Sequence, residues 1–205
     1  MTLIDVDYTL ERGHLPETIA DFLHEANVRT EDYLHHSRVR VSGFVPSDFV
    51  CVYWALRAVV RENMAAGNLF CEWGSGFGVV ASLASLVGFD AFGIEIEEQL
   101  VDASRDLAYA QGLPVEFAHG SFVPPDSDDI IDEEYSSESF WLDTDTATDA
   151  YDELEIAPDE FDVVFAYPWP NEEGAIGRLF DQCAAEGALL LTYTQLDEVR
   201  IRRKV

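Results

Sequence analysis

Lysine is almost absent from this chain: Lys204 is the only one in 205 residues. Twelve basic residues stand against forty acidic ones, a formal net charge of −28. Such a field repels nucleic-acid phosphates and anionic membranes, so neither is expected as a partner. Cysteine is scarce as well. Cys51, Cys71 and Cys183 are odd in number, far apart and without a C-x-x-C pair. That argues against a disulfide framework and reads as reduced, mostly buried thiols in a cytoplasmic protein. His14, His24, His35, His36 and His119 share no ligand spacing with cysteine, and the adjacent pair His35-His36 diverges on a strand or a helix, so no metal site is expected. The longest nearly apolar run, around Val79 to Phe89, is too short to cross a bilayer. No charged-then-apolar leader precedes Thr2 to Arg12, so export is not expected. With 48% apolar residues and no internal repeat, the chain reads as one domain with one substantial core.

Against these absences stands one dense motif, NLFCEWGSGFG, from Asn68 to Gly78. The apolar run Leu69-Phe70-Cys71 reads as a buried strand, Glu72 sits at its end, and Gly74, Gly76 and Gly78 permit a tight turn into a helix. Seventeen residues beyond Gly78, Glu95 ends a second strand-like run, where an acid can accept hydrogen bonds from both hydroxyls of a ribose. A nucleoside cofactor follows. The dinucleotide fingerprint G-x-G-x-x-G is not met, because the third glycine comes one residue early. Glu72 beside the turn also suits an ammonium better than a pyrophosphate. Each glycine taken singly is equally compatible with a plain turn.

Taken together, these residues resemble the class I S-adenosylmethionine (SAM)-dependent methyltransferases, whose first motif E/D-x-G-x-G-x-G is met in full by Glu72-Trp73-Gly74-Ser75-Gly76-Phe77-Gly78. The resemblance implies S-adenosyl-L-methionine as cofactor. It implies Gly74, Ser75, Gly76 and Gly78 around the methionine end, Glu72 organising the amino-acid moiety, Glu95 on the ribose and Ile96 beside the adenine. Where the family often has a G-D pair after the third strand, this chain has Gly120-Ser121, which leaves Ser121 and Phe122 as the adenine-side candidates. Amino-directed members carry a polar-Pro-Pro-aromatic motif after the fourth strand. The counterpart here is Ala166-Tyr167-Pro168-Trp169, without the polar residue. Tyr167, Pro168 and Trp169 are thus candidates for positioning the acceptor, and a rigid turn is the alternative reading. Before the first strand, Phe44, Val45 and Ser47 are candidates for a lid or for a helix-capping turn.

The rest of the pattern predicts an α/β fold with a doubly wound, mostly parallel sheet of about six strands. Within the single domain, 1–67 reads as an N-terminal helical cap and 68–123 as the cofactor-binding half. Residues 124–160 read as an acidic insertion and 161–205 as the C-terminal half of the sheet. Pro16 suits the first turn of one early helix, and Ser47 or Asp48 can cap another that runs to Gly67. Helices are expected from Val79 to about Gly88, from Glu97 to Gln111, and over AIGRLFDQCAAEG to Gly187. VEFAHG, FDVVFAYPW and ALLLTYT read as strands. After the last of these, too little chain remains for the family's usual helix and hairpin. One charged edge strand is expected around Val199 to Val205, with Arg200, Arg202 and Arg203 meeting acidic surface.

No Lys or Arg occurs between Arg105 and Arg178, and residues 124–160 hold fifteen acids interleaved with Tyr135, Phe140, Trp141 and Tyr151. Part of this segment can dock as a short amphipathic helix. Three readings stay open for it: a surface that recruits a cationic acceptor, a solvated loop of a chain adapted to a saline cytoplasm, and a calcium site at Asp143, Asp145, Asp149 and Asp152 that lacks the EF-hand spacing. The expected function is SAM-dependent methyl transfer to a small-molecule or cationic protein acceptor, lysine-like or a small amine, rather than to nucleic acid. The alternatives are a SAM-binding acidic interaction module without catalysis and, despite the glycine spacing, an NAD-dependent oxidoreductase.

Overall fold

The computed structural model describes residues 2–36, 46–124, 127, 149–170 and 172–205. Its strands are β1 (Leu3–Asp5), β2 (Leu69–Trp73), β3 (Asp90–Glu95), β4 (Glu116–His119), β5 (Val163–Ala166), β6 (Leu189–Tyr193) and β7 (Val199–Lys204). The helices are α1 (Glu17–His36), α2 (Phe49–Arg61), α3 (Val79–Leu86), α4 (Glu98–Gln111), α5 (Ala150–Leu154) and α6 (Glu173–Cys183). One sheet runs in the order β1-β7-β6-β5-β2-β3-β4. Strands β2 to β6 are mutually parallel, and β7 and β1 are antiparallel to their neighbours. The chain leaves β2 toward one edge and returns through β5 toward the other, so the order reverses between β2 and β5. Ligands in open α/β sheets bind beside such a reversal.

Helices cover both faces of the parallel strands, which is why these strands are apolar runs rather than alternating ones. Every residue of β5 and β6 is buried. Small residues let α3 lie close to the sheet, with Val79, Val80, Ala81, Leu83 and Ala84 all buried. Helix α2 packs on α3 and buries Cys51, Val52, Ala55, Leu56 and Val59 in the shared core, where each large apolar side chain contributes about 1.5–3 kcal/mol. Asp48 starts α2 by accepting hydrogen bonds from the amides of Val50 and Cys51. The expected amphipathic piece of the acidic insertion is α5, which buries Ala150, Tyr151 and Leu154.

The structure corrects the sequence expectation at several points. The sheet has seven strands, because Leu3–Asp5 adds an antiparallel strand where only helices were expected. Three residues carry no readable period, and this strand exists because β7 offers it a partner. Strand β7 is therefore not an edge. Arg202 and Lys204 are buried on it, and the Lys204 ammonium donates to the carbonyl of Ala184 at 2.6 Å. Arg200 meets acids as expected, at Asp5 and Glu173, whereas Arg203 donates to the carbonyls of Gly187 and Met64. Helix α2 stops at Arg61 rather than Gly67, and α6 at Cys183 rather than Gly187. The bases at this end of the chain thus divide between acids, met by Arg200 and Arg202, and backbone carbonyls, met by Arg203 and Lys204.

Arg203 joins β7 to the turn after α2 through two charge-assisted bonds. Arg203→Met, which keeps the stem and removes both donors, is expected to lower the unfolding free energy by about 1.5–3 kcal/mol in urea denaturation. An unchanged midpoint would contradict that role.

Candidate active site

At the carboxyl ends of β2 and β3 the backbone does what the glycine spacing asks. Gly74, Gly76 and Gly78 have φ of 71°, 54° and 67°, the left-handed region that disfavours side chains. The amides of Gly74 and Ser75 both donate to the carbonyl of Ile94 at 2.9 Å, and Gly76 N–H donates to Glu95 Oε2 at 2.7 Å. The loop is thereby tied to the end of β3. Gly78 has a second reason to be glycine, because a β-carbon there would collide with the ring of Phe117 and the side chain of Ser104.

Two carboxylates lie in this region, both buried. Glu72 accepts a hydrogen bond from the amide of Ala81 at 2.8 Å, which satisfies one of the free N–H groups in the first turn of α3. Burial pushes its carboxyl well above the ordinary range, the Ala81 amide opposes that, and nearby Glu95 adds to it. Glu95, 7% exposed, is likewise pushed up by burial. The amides of Glu97, Gly76 and Ile96 pull it back, and the charge of Glu97 raises it.

These groups face a cavity of about 630 Å³. Its wall includes Glu72, Gly74, Ser75, Gly76, Glu95, Ile96, Ser121 and Phe122 together with Tyr167, Pro168 and Trp169. The two sets, far apart in sequence, therefore share one space. The buried hydroxyl of Ser75 has no hydrogen-bond partner among the described residues, as expected of a group reserved for a ligand. Phe122 stacks on Trp73 with centroids 5.3 Å apart and planes 9° from parallel, and its carbonyl accepts from the Tyr151 hydroxyl of α5. His119 Nε2 lies 2.9 Å from the carbonyl of Ile96, a contact made by the Nε2–H tautomer, and so steadies that stretch.

No protein-family model matches the chain. Over 91 residues, 44% of the chain, it is 29% identical to a ribosomal protein L11 methyltransferase of Cupriavidus pinatubonensis, and the match spans 29% of that protein's length. Among solved structures it is similar to a methyltransferase from Geobacter sulfurreducens, with a TM-score of 0.53, 12% identity and coverage of 95% of this chain and 93% of that one. It is also similar to an RNA methyltransferase from Salinibacter ruber in complex with S-adenosyl-L-homocysteine, with a TM-score of 0.51, 18% identity and coverage of 78% and 92%. The fold is that of a class I methyltransferase.

Within the methyltransferase fold, the residues singled out by sequence divide into those on the cavity wall and those behind it. Gly78 is not on the wall; it is the N-cap position of α3, where the packing just described demands glycine. Glu72 reaches the wall, yet its carboxylate is engaged by α3, so it also serves as that helix's cap. Ser121 lines the cavity while its hydroxyl accepts from Val123 N–H. The Tyr167 ring meets Tyr193 edge-on at 4.9 Å. Of the lid candidates, Ser47 lines the cavity beside Pro46, whereas Phe44 and Val45 lie outside the described residues. Asp143 and Asp145 also lie outside them, and Asp149 is spent as the N-cap of α5. Among the described residues no helix is long and apolar enough to cross a membrane.

Sequence reasoning missed Phe49, Glu172 and Gln195, all on the wall. Phe49 and Gln195 carry no motif. Glu172 had a weak signal, an acid two residues after a P-W-P turn at a strand end.

Because Glu72 is raised above its unfolded value, the folded protein holds that proton more tightly than the unfolded chain. Its effect on stability is therefore most favourable below the unfolded carboxylate range and is lost as pH rises through the raised folded value. Glu72→Gln is expected to raise the melting temperature at pH 8, with the gain shrinking as pH falls through that window. A constant difference between the two proteins from pH 4 to 8 would contradict the assignment.

Proposed function

We propose that this protein is a SAM-dependent methyltransferase whose acceptor is an amine, either a lysine-like side chain or a small amine. The observation that carries the reading is the composition of the cavity wall. It joins the glycine loop and Glu95 to the Tyr167-Pro168-Trp169 segment, holds the acids Glu72, Glu95, Glu97 and Glu172, and among the described residues contains no Lys, Arg or His. Such a wall favours cations and disfavours phosphates. S-adenosyl-L-methionine, when bound, supplies a methyl group already activated on a sulfonium. The residues fit its parts: the Glu95 carboxylate can accept from ribose hydroxyls, the loop glycines allow close approach of the backbone, and the Ser75 hydroxyl has no partner among the described residues. What the chain must then do is hold the acceptor in line and keep water out, which is catalysis by positioning. The ring of Trp169 and the two prolines beside it supply an apolar rim for that purpose.

The acceptors named for the similar proteins, a ribosomal protein in one and RNA in the other, differ from each other and do not decide the matter here. The charge of this chain favours the cationic kind. Incubation of the full chain with methyl-labelled SAM and a panel of n-butylamine, spermidine, lysine-rich peptide and an RNA oligomer is expected to label an amine and leave the RNA unlabelled. Labelling of RNA alone would overturn the acceptor class. Transfer to none of them by protein that retains SAM would favour the non-catalytic binding module.

A further inference from the structure

We propose a separate binding site, for a small phosphate monoester carried on a flat ring, in the cavity between the chain segment after β1 and the exposed face of α2. That cavity measures about 310 Å³ and is lined by Glu11, Arg12, Gly13, Trp54, Arg57 and Arg61. It shares no wall residue with the cavity at the glycine loop. Helical spacing builds one side of it: Trp54, Arg57 and Arg61 stand at i, i+3 and i+7 of α2 and so lie on one face. The segment after β1 supplies the other side. Arg61 holds it there, donating to the carbonyl of Thr9 at 2.8 Å and pairing with Glu11 at 2.9 Å. Arg12 is anchored more lightly, its guanidinium 3.5 Å from the Cys51 sulfur. At Gly13 a β-carbon would stand 3.5 Å from the Trp54 ring, so glycine keeps a side chain off that part of the indole.

The charge of this cavity runs against that of the chain. With forty acids to twelve bases, a base is expected to find a carboxylate. Arg29, Arg61, Arg105, Arg200 and Arg202 do, Arg203 and Lys204 hold carbonyls, and Arg178 has a partner as well. Arg12 and Arg57 pair with no acid among the described residues, and Arg57 makes no hydrogen bond there either. Arg61 is neutralised by Glu11 and Glu62 and keeps the wall in shape. Two guanidiniums without an acid on one wall suit an anion of two charges. A phosphate monoester carries about −1.5 to −2 at pH 7 and offers three oxygens to the guanidinium forks. The half-buried indole of Trp54 gives the ring of the ligand an apolar surface to lie on. The acidity of the chain then selects among phosphates. Acids farther away than about 8 Å are screened from a single phosphate at physiological salt, whereas a polymer of phosphates would run out over the acidic surface and be repelled.

The test is a titration of the nitrogen-15-labelled full chain, followed by nuclear magnetic resonance at the Trp54 indole N–H, whose signal is identified by its loss in Trp54→Phe. Phenyl phosphate is the probe. Phenol, inorganic phosphate and benzoate are the controls, lacking the charge, the ring and the second charge in turn. Phenyl phosphate is expected to shift the Trp54 signal saturably and to bind more tightly than any of the three. Arg57→Gln should weaken it by about tenfold or more, the loss expected of one charge-assisted contact. Arg57 has no bonded partner among the described residues, so this variant is expected to keep the indole spectrum of the folded wild type. Arg57→Lys, which keeps the charge, should bind phenyl phosphate more tightly than Arg57→Gln does. A Trp54 signal that does not move, that responds as well to any control, or that titrates unchanged in Arg57→Gln overturns the inference. Shifts confined to the indoles of Trp73 and Trp169, which line the other cavity, would place the probe there and overturn it too.

Discussion

The site depends on one hydrogen bond, from the amide of Gly76 to the carboxylate of Glu95 at 2.7 Å. It fastens the turn after β2 to the end of β3 and gives the Glu95 carboxyl group a donor in a nearly dry place. Three left-handed glycines make the turn possible, and the same turn delivers Gly78 to the start of α3, where Glu72 answers the helix through Ala81. Loop, helix and strand end are therefore one unit. Burial raises both carboxyls and so favours their protonated form, which the amides of Ala81, Gly76 and Glu97 oppose.

Charge is distributed with the same economy. Forty acids and twelve bases leave little basic material, and much of what there is goes into the structure. Lys204 and Arg203 hold carbonyls, Arg200 joins Asp5 to Glu173, and Arg105 reaches the carbonyl of Phe117 and the carboxylate of Glu153. None of these bases lines the cavity. A phosphate-rich acceptor would meet repulsion from the chain as a whole and, among the described residues, no basic side chain on the cavity wall, conditions that suit an amine better.

The motif that ends in Gly78 and the acid at Glu95 were legible because their chemistry depends on local spacing: a strand must end, a turn must admit positive φ, and an acid must follow at the next strand. Strands β2 to β6 were legible for a similar reason, since burial on both faces writes them as apolar runs. What the sequence hid is what only tertiary pairing creates. Strand β1 is three residues long and exists through β7, and the basic residues of β7 looked like an exposed edge until that partner covered them. Glu172 looked like its neighbour Glu173, and only the turn at Trp169 separates an acid in the cavity from one on the surface.

The central claim is that the cavity bounded by the glycine loop and Glu95 is a site for S-adenosyl-L-methionine. The most direct measurement is calorimetric titration of the protein with S-adenosylhomocysteine and, separately, with NAD, repeated on Glu95→Ala. The account predicts micromolar binding of S-adenosylhomocysteine, no comparable binding of NAD, and loss of binding in a Glu95→Ala protein that remains folded. Well-folded wild-type protein that ignores S-adenosylhomocysteine, or that binds it equally well without the Glu95 carboxylate, would contradict it.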